Sequence, residues 1–313
     1  MSSGAIRRPK RARAESGARR ANLLDGRTWT HFSVSVWSDI KKTPEERALR
    51  HPALFPAELP GRLIDCLCGP QDRRVLDPFA GMGSTLIAAV SRGLEAVGLD
   101  ISSEYVETAR RRLTRHTAGG QARLCAHELE HLLPAQGRPA TGTPMGTWKL
   151  HHTDARRLLD YVQPDSVDLV VTSPPYWNVL ARRRSADRKP VRSYSVDAPS
   201  GAAGENATAR DLSSIEDYGK FLDALEEIFG LVFQCLRPGR FCCAVIMDLR
   251  KAGRFYPFHS DLAERMSRIG FLHEDIIIWD RRQEYSNFRP LGYPYVFRVN
   301  KAHEYILIFR KSP

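Results

Sequence analysis

Short apolar runs alternate with amphipathic stretches of helical period from residue 74 to residue 310, and a chain patterned this way has few options. Arg74–Asp77 (RVLD), Ala96–Asp100 (AVGLD), Trp148–His151, Val167–Thr172 (VDLVVT), Phe241–Met247, Phe271–Trp279 and Glu304–Arg310 (EYILIFR) read as strands. Between them, Ser84–Arg92, a stretch capped at Ser102–Glu104 and running to about Arg115, and Phe258–Ile269 read as helices. A further helix follows Ser214-x-x-Asp217, which has capping-box spacing. It carries Ile215, Phe221, Leu222, Leu225, Ile228, Phe229 and Val232 on one face and stops at Pro238-Gly239. Strands separated by helices pair in parallel, because a crossover returns the chain to the same edge. The expected fold is α/β: a mostly parallel sheet of these seven strands with helices packed on it.

The intervening segments set the domain organisation. Residues 1–27 are expected to be a disordered basic arm: in the first twenty, seven cations face one acid, Glu15, with no apolar periodicity. Such an arm is either a tail without a dedicated partner or a nonspecific tether for phosphates. Residues 28–313 form the expected folded domain, with insertions at about 117–146, 178–212 and 280–302. Over 313 residues, 47 Lys and Arg against 36 Asp and Glu give +11, which favours a polyanionic partner. No apolar run reaches the roughly eighteen residues of a membrane span, so no membrane partner is expected. The arginine-rich start lacks the apolar stretch of a secretory signal. Cysteines at 66, 68, 125, 235, 242 and 243 include no C-x-x-C pair, which points to a reduced, cytoplasmic setting.

Two strand ends carry the candidate chemistry. Asp77-Pro78-Phe79-Ala80-Gly81-Met82-Gly83-Ser84-Thr85 joins the first strand to the first helix, and its glycines allow a ligand close to backbone N–H groups. A dinucleotide fingerprint needs glycine or alanine at position 86, where this chain has Leu86, so an NAD site is disfavoured. Asp100 ends the second strand, where a carboxylate can accept hydrogen bonds from a ribose diol, whereas Asp77 can equally serve to pin the turn. Thr172-Ser173-Pro174-Pro175-Tyr176-Trp177 ends a buried strand. Its prolines fix φ and remove two donors, which leaves carbonyl acceptors, the Ser173 hydroxyl and two aromatic faces. That set suits a planar base bearing an exocyclic amine.

DPFAGMGST at 77–85 with TSPPYW at 172–177 resembles the S-adenosylmethionine-dependent amino-methyltransferases of DNA, the N4-cytosine/N6-adenine family. His51-Pro52-Ala53-Leu54-Phe55-Pro56, Ile278-Trp279-Asp280 and His303-Glu304-Tyr305-Ile306-Leu307 resemble further motifs of that family, so the likeness covers residues 28–311. The resemblance implies the Rossmann-like class I methyltransferase fold, a seven-stranded, mostly parallel sheet with helices on both faces and the last strand antiparallel, and S-adenosyl-L-methionine as cofactor. It implies that Asp77, Phe79, Gly81 and Gly83 line the cofactor, with Asp100 at the ribose, Asp154 at the adenine amine, and His51, Pro52, Ala53 and Phe55 at the methionine end. Ser173, Pro174, Pro175 and Tyr176 would hold the target base. Many family members place the catalytic segment before the glycine motif. The order here is reversed, a circular permutation that leaves the site intact but moves the recognition region, expected in 178–212 and 280–302. The implied partners are double-stranded DNA and a cognate restriction endonuclease, in a bacterial or archaeal cell at the nucleoid, with the oligomeric state left open.

An aromatic amine is a poor nucleophile, and acceptors at Ser173 and the Pro174 carbonyl would draw its hydrogens and favour a pyramidal nitrogen for in-line attack. A C5-cytosine enzyme would need a cysteine at the Pro-Pro turn, which is followed instead by Tyr176. Ser173 in place of Asp or Asn tilts the family analogy to cytosine N4, with adenine N6 the alternative. RNA or protein amines remain a further alternative. Arg182, Arg183, Arg184, Arg188 and Lys189 are read as a clamp for DNA phosphates over a merely solvated run. Tyr285, Phe288, Tyr293 and Tyr295 stay open as base readers, and Trp29, Phe32 and Trp37 are read as packing. His127-Glu128-Leu129-Glu130-His131 matches a zinc-protease pattern, but a third ligand and a cleft are also needed, Pro134 follows closely, and the segment lies in an insertion away from the strand ends. It reads as an exposed turn, and no metal is expected.

Overall fold

The computed structural model describes residues 21–49, 54–118, 145–177, 211–284 and 290–313. Its strands are β1 (Val36–Trp37), β2 (Arg74–Asp77), β3 (Glu95–Asp100), β4 (Trp148–His152), β5 (Val167–Thr172) and β6 (Leu236–Ile246), followed by β7 (Leu249–Lys251), β8 (Arg254–Tyr256), β9 (Phe271–Asp280) and β10 (His303–Lys311). The main helices are α1 (Gly26–Phe32), α2 (Pro44–Ala48), α3 (Glu58–Leu67), α4 (Ser84–Val90), α5 (Ser103–Ala118), α6 (Tyr218–Cys235) and α7 (Phe258–Ile269).

One sheet runs in the order β1-β9-β10-β6-β5-β2-β3-β4, and β10 is antiparallel to both its neighbours. The expected mostly parallel α/β sheet is there, but with eight strands instead of seven. The added one is β1, whose Val36 and Trp37 pair in parallel with Ile278 and Trp279 at the outer edge. A two-residue strand is too short to show period-two patterning, so nothing in the sequence announced it.

Burial alternates along the central strands. Leu76, Val170, Ala244 and Leu307 face α6 and α7, through Phe221, Leu225, Phe229, Phe258 and Leu262. Val75, Leu169, Val171, Cys243 and Val245 face α3, α4 and α5, through Leu59, Leu63, Ile87, Val106 and Leu113. With helices on both sides, all six residues of β5 are buried, as expected of a central parallel strand. Asp168 on β5 is buried for a different reason. It accepts from Arg73 N and Arg74 N at 2.8 and 2.9 Å and pairs with Arg237 at 2.6 Å, which locks β2 and β6 to the same strand.

Three boundaries differ from the sequence reading. Strand β6 starts at Leu236, not Phe241, because Val167 pairs with Leu236 before a register shift to Leu169–Phe241, and Gly239 at φ 75° helps the extra residues turn. Ser214 and Asp217 do not form a capping box. Asp217 is itself the N-cap of α6 and accepts from Lys220 N at 2.8 Å, while Ser214 donates its hydroxyl to Asp211 O. Of the basic arm expected over 1–27, residues 1–20 lie outside the described residues, and within 21–27 Asn22 and Leu24 are buried and Asp25 caps α1. The hairpin β7–β8 was also missed. Its two-residue turn, Ala252-Gly253, has φ of 49° and 84°, the two positive angles that match strand twist.

Candidate active site

Parallel strands end on one edge of a sheet, and loops there converge. Here the ends of β2, β3 and β5 bring together the glycine turn, Asp100 and the Ser173–Trp177 turn. The tie between them is a hydrogen bond: Thr172 Oγ1, at the end of β5, donates to Asp77 Oδ1, at the end of β2, at 2.6 Å. The same Asp77 oxygen accepts from Phe79 N at 3.1 Å, and Thr85 Oγ1 reaches Val171 O at 3.2 Å. Burial raises the Asp77 pKa to about 6, against the hydrogen bonds that favour its charge. Asp77 is thus a structural tie between the two turns, and the residue is 1% exposed.

The glycine turn is held from its backbone. Ala80 N donates to Leu99 O at 2.8 Å, and Gly81 N donates to Asp100 Oδ2 at 2.7 Å. Gly81 has φ +49°, and a Cβ there would make an ordinary contact with Phe79 O at 3.9 Å; Gly83 has φ +81°, and a Cβ there would lie 3.1 Å from the Ala109 methyl. Asp100 also accepts from Ser102 N at 2.8 Å, and burial raises its pKa to about 6, with Asp211 adding a smaller push. Each Asp100 oxygen keeps lone pairs beyond its one backbone donor, as a ribose-binding carboxylate requires. Phe79 packs edge-on against Phe229, with centroids 6.5 Å apart.

Asp154 lies past the end of β4, two residues beyond His152, which pairs with Asp100. Its carboxylate caps a 3-10 turn, accepting from Arg156 N at 2.9 Å and pairing with the Arg156 guanidinium at 3.0 Å. Phe55 is buried with Trp37, Leu59 and Leu86. His51, Pro52 and Ala53 lie outside the described residues, but their flanks are fixed to the glycine turn. Buried Glu46 accepts from Ala57 N at 2.7 Å and lies 3.8 Å from Arg112, and Arg112 donates to Met82 O within the turn.

The Ser173–Trp177 turn is held by side chains from far along the chain. Pro174 is buried and Ser173 and Pro175 half-buried. Tyr176, expected to offer a stacking face, is only 8% exposed, and its hydroxyl donates to Glu304 Oε2 at 3.4 Å. The other Glu304 oxygen pairs with Arg281, which also binds Glu284 at 2.7 Å and lies 4.8 Å over the Trp279 ring. Burial first, and then the Glu304 charge, keep the Tyr176 phenol neutral. Trp177 is a packing residue: its indole N–H donates to Ile215 O at 2.8 Å, its ring meets Tyr218 and Tyr256, and Lys251 sits 3.6 Å above it. Sequence reasoning placed Glu304 in a motif but gave it no role, and it missed Arg281 and Glu284 altogether.

Arg182, Arg183, Arg184, Arg188, Lys189 and the 127–131 motif lie outside the described residues, as do Cys125, Tyr285 and Phe288. Among the described residues no three or more His, Cys, Asp or Glu side chains gather as a metal site. The described cysteines are all free thiols, and none lies in the turn. Burial pushes the Cys235 and Cys66 thiols up to about 11 and about 12, and those of Cys68, Cys242 and Cys243 further still, which disfavours a thiolate nucleophile. Phe32 and Trp37 are packed as expected, whereas Trp29 is 46% exposed.

Known proteins are similar to this chain in sequence. The type II methyltransferase M.MjaI of Methanocaldococcus jannaschii is 30% identical over 175 residues, 52% of this chain and 55% of that one. The DNA adenine methyltransferase YhdJ of Escherichia coli is 36% identical over 112 residues, 32% of this chain and 36% of that one. This chain therefore spans about half the length, or less, of these curated relatives. A structure described as a DNA modification methylase of Thermus thermophilus, complexed with S-adenosyl-L-methionine, is 30% identical over 51% of each chain, with a TM-score of 0.33. The family model for N6/N4 DNA methylases matches residues 5–111 and 167–313, which include both strand-end turns and the Glu304 motif. The chain belongs to the N6/N4 DNA methylase family.

Proposed function

We propose that this chain transfers a methyl group from S-adenosyl-L-methionine to the exocyclic amine of a base in duplex DNA, N4 of cytosine being the preferred target. The observation that carries the reading is the Thr172–Asp77 hydrogen bond, which sets the Ser173-Pro174-Pro175-Tyr176 turn beside the glycine turn and Asp100. The cofactor supplies an electrophilic sulfonium methyl. The chain's own residues fit it: nothing crowds the Cβ side of Gly81 closer than Phe79 O at 3.9 Å, and Asp100 has acceptor capacity to spare. Phe79, Gly83, Phe55 and the 51–53 segment would complete that pocket, with Asp154 reaching the adenine once it parts from Arg156.

Ser173 and the Pro174 carbonyl would accept the amine's hydrogens, orienting its lone pair to the methyl and excluding water. Tyr176, neutral and anchored by Glu304, would present its ring to a base extruded from the duplex. Ser173, a short neutral hydroxyl, favours cytosine by family analogy, and the similarity to an adenine methyltransferase supports adenine N6 as the second reading. Similarity to type II methyltransferases supports a companion restriction endonuclease. Among the described residues no helix is long and apolar enough to cross a membrane.

Tritiated methyl transfer from S-adenosylmethionine onto phage DNA, bulk tRNA and histone tests the substrate class. Label in DNA alone is expected. Label confined to tRNA or histone overturns the reading.

A further inference from the structure

The strands β6 and β9 both run antiparallel to β10, so their C-terminal ends share the edge that carries the Ser173–Trp177 turn. Two segments leave that edge. The first is the hairpin β7–β8, which rests on the turn itself through Lys251 and Tyr256 against Trp177. The second is the loop between β9 and β10, rooted through Arg281 and Glu304 on Tyr176. The two meet: Lys301 lies 5.3 Å over the Phe255 ring and donates to Asp248 O.

Their surface composition is unusual for a protein face left to water. Tyr293 is 78% exposed, Tyr295 91%, Phe297 92% and Val299 69%, with Phe255 at 45% beside them. Single exposed apolar side chains are ordinary, but a contiguous run of aromatics marks a contact surface. The charge around them is of one sign. Residues 249–256 and 290–302 hold Arg250, Lys251, Arg254, Arg298 and Lys301 and not one Asp or Glu. Aromatic faces interleaved with cations, and no carboxylates, fit a polyanion whose interior is made of flat rings.

We propose that the loop Leu291–Val299, backed by the basic hairpin Leu249–Tyr256, is the surface that docks on duplex DNA beside the target base. Its exposed aromatic rings stack against or wedge between bases there, while Arg250, Arg254 and Arg298 hold the flanking phosphates. The inference rests on the reading of DNA as substrate and adds where and how the duplex is engaged. A wedge at this place has a physical purpose. An extruded base leaves a gap in the stack, and an apolar ring entering the duplex offsets part of the unstacking cost.

The test uses the full chain with phage lambda DNA as methyl acceptor, and compares wild type with Tyr295→Ala/Phe297→Ala and the ring-retaining Tyr295→Phe/Phe297→Tyr. Both rings are exposed, so unfolding temperature and S-adenosylmethionine affinity should match wild type in each variant. The double-alanine variant should raise KM for DNA roughly tenfold, by analogy with the loss of about one stacked base, and the ring-retaining variant should stay at the wild-type KM. An Arg250→Ala/Arg254→Ala variant should flatten the salt dependence of DNA binding. Wild-type KM in the double-alanine variant, or loss in the ring-retaining one, overturns the proposal and leaves the methyltransferase reading standing. Sedimentation showing a dimer that the double-alanine variant dissolves would assign the rings to a second copy and overturn it as well. Failure of wild type to label DNA at all would overturn both.

Discussion

The two turns of the site lie side by side but are built by opposite means. The glycine turn is shaped by its own backbone and by Asp100, nineteen residues on from Gly81. The Ser173–Trp177 turn is fixed by side-chain contacts to Ile215, Lys251, Tyr256 and, 128 residues from Tyr176, Glu304. The glycine turn and Asp100 are thus a local device, built within one β-α-β unit and braced from α5 by Arg112. The half expected to hold the target base depends on the whole sheet being assembled, and on a buried cluster of charges.

That contrast breaks most readily at the charges. Glu304→Ala leaves Arg281 buried with Glu284 alone, and should cost about 3 kcal/mol of stability in urea denaturation, with turnover falling much further than cofactor affinity. Glu304→Gln keeps an acceptor for Tyr176 and should cost less. If both variants unfold like wild type, the target-side turn is not held by this cluster. On the other side, Gly83→Val combines a positive φ with the Ala109 methyl at 3.1 Å and should cost about 2–3 kcal/mol, together with cofactor binding. Gly81→Ala, whose Cβ would meet Phe79 O only at an ordinary 3.9 Å, should cost only about 1 kcal/mol through its positive φ. Equal losses at the two glycines would show that conformation, not packing, limits the turn.

The next contrast is one of pH. Asp100, with its pKa raised to about 6, is the expected partner of a ribose diol, and ribose hydroxyls donate best to its ionised form. Cofactor affinity should therefore hold above pH 7 and weaken as pH falls through about 6, by calorimetry. Asp100→Asn should bind roughly tenfold more weakly at pH 8 and lose that pH dependence.

Asp77 gives the smallest effect, and it is read in stability. Its folded pKa, near 6, lies above the ordinary carboxylate value, so the folded state holds the proton more tightly than the unfolded one. Its contribution therefore favours folding at low pH and is lost as pH rises from about 4 to about 6. Asp77→Asn keeps the acceptor for Thr172 and Phe79, so its unfolding temperature relative to wild type should climb over that interval. A flat difference would mean that Asp77 is not held in a charge-averse site.

What could be read from the sequence follows the same division. The glycine turn, Asp100 and the strand-helix alternation are local patterns, and all of them stand where the sequence put them. The Ser-Pro-Pro-Tyr turn was legible too, because it ends an unbroken apolar strand. Its supports were not legible, since no spacing rule joins Tyr176 to Glu304 or Trp177 to Lys251. The hairpin β7–β8 was legible in principle, from Ala-Gly between two short basic-aromatic runs. Strand β1 was not, because two residues carry no period and its pairing with β9 is set by tertiary packing around Trp37 and Trp279.

The proposed reaction needs the Thr172–Asp77 tie to assemble a site for methylating an exocyclic amine. Mass spectrometry of nucleosides from lambda DNA incubated with the protein and S-adenosylmethionine tests it directly. N4-methylcytosine is the predicted product, and N6-methyladenine would keep the mechanism while reversing the choice of base. 5-Methylcytosine, which requires a cysteine nucleophile that this turn does not have, would contradict the account.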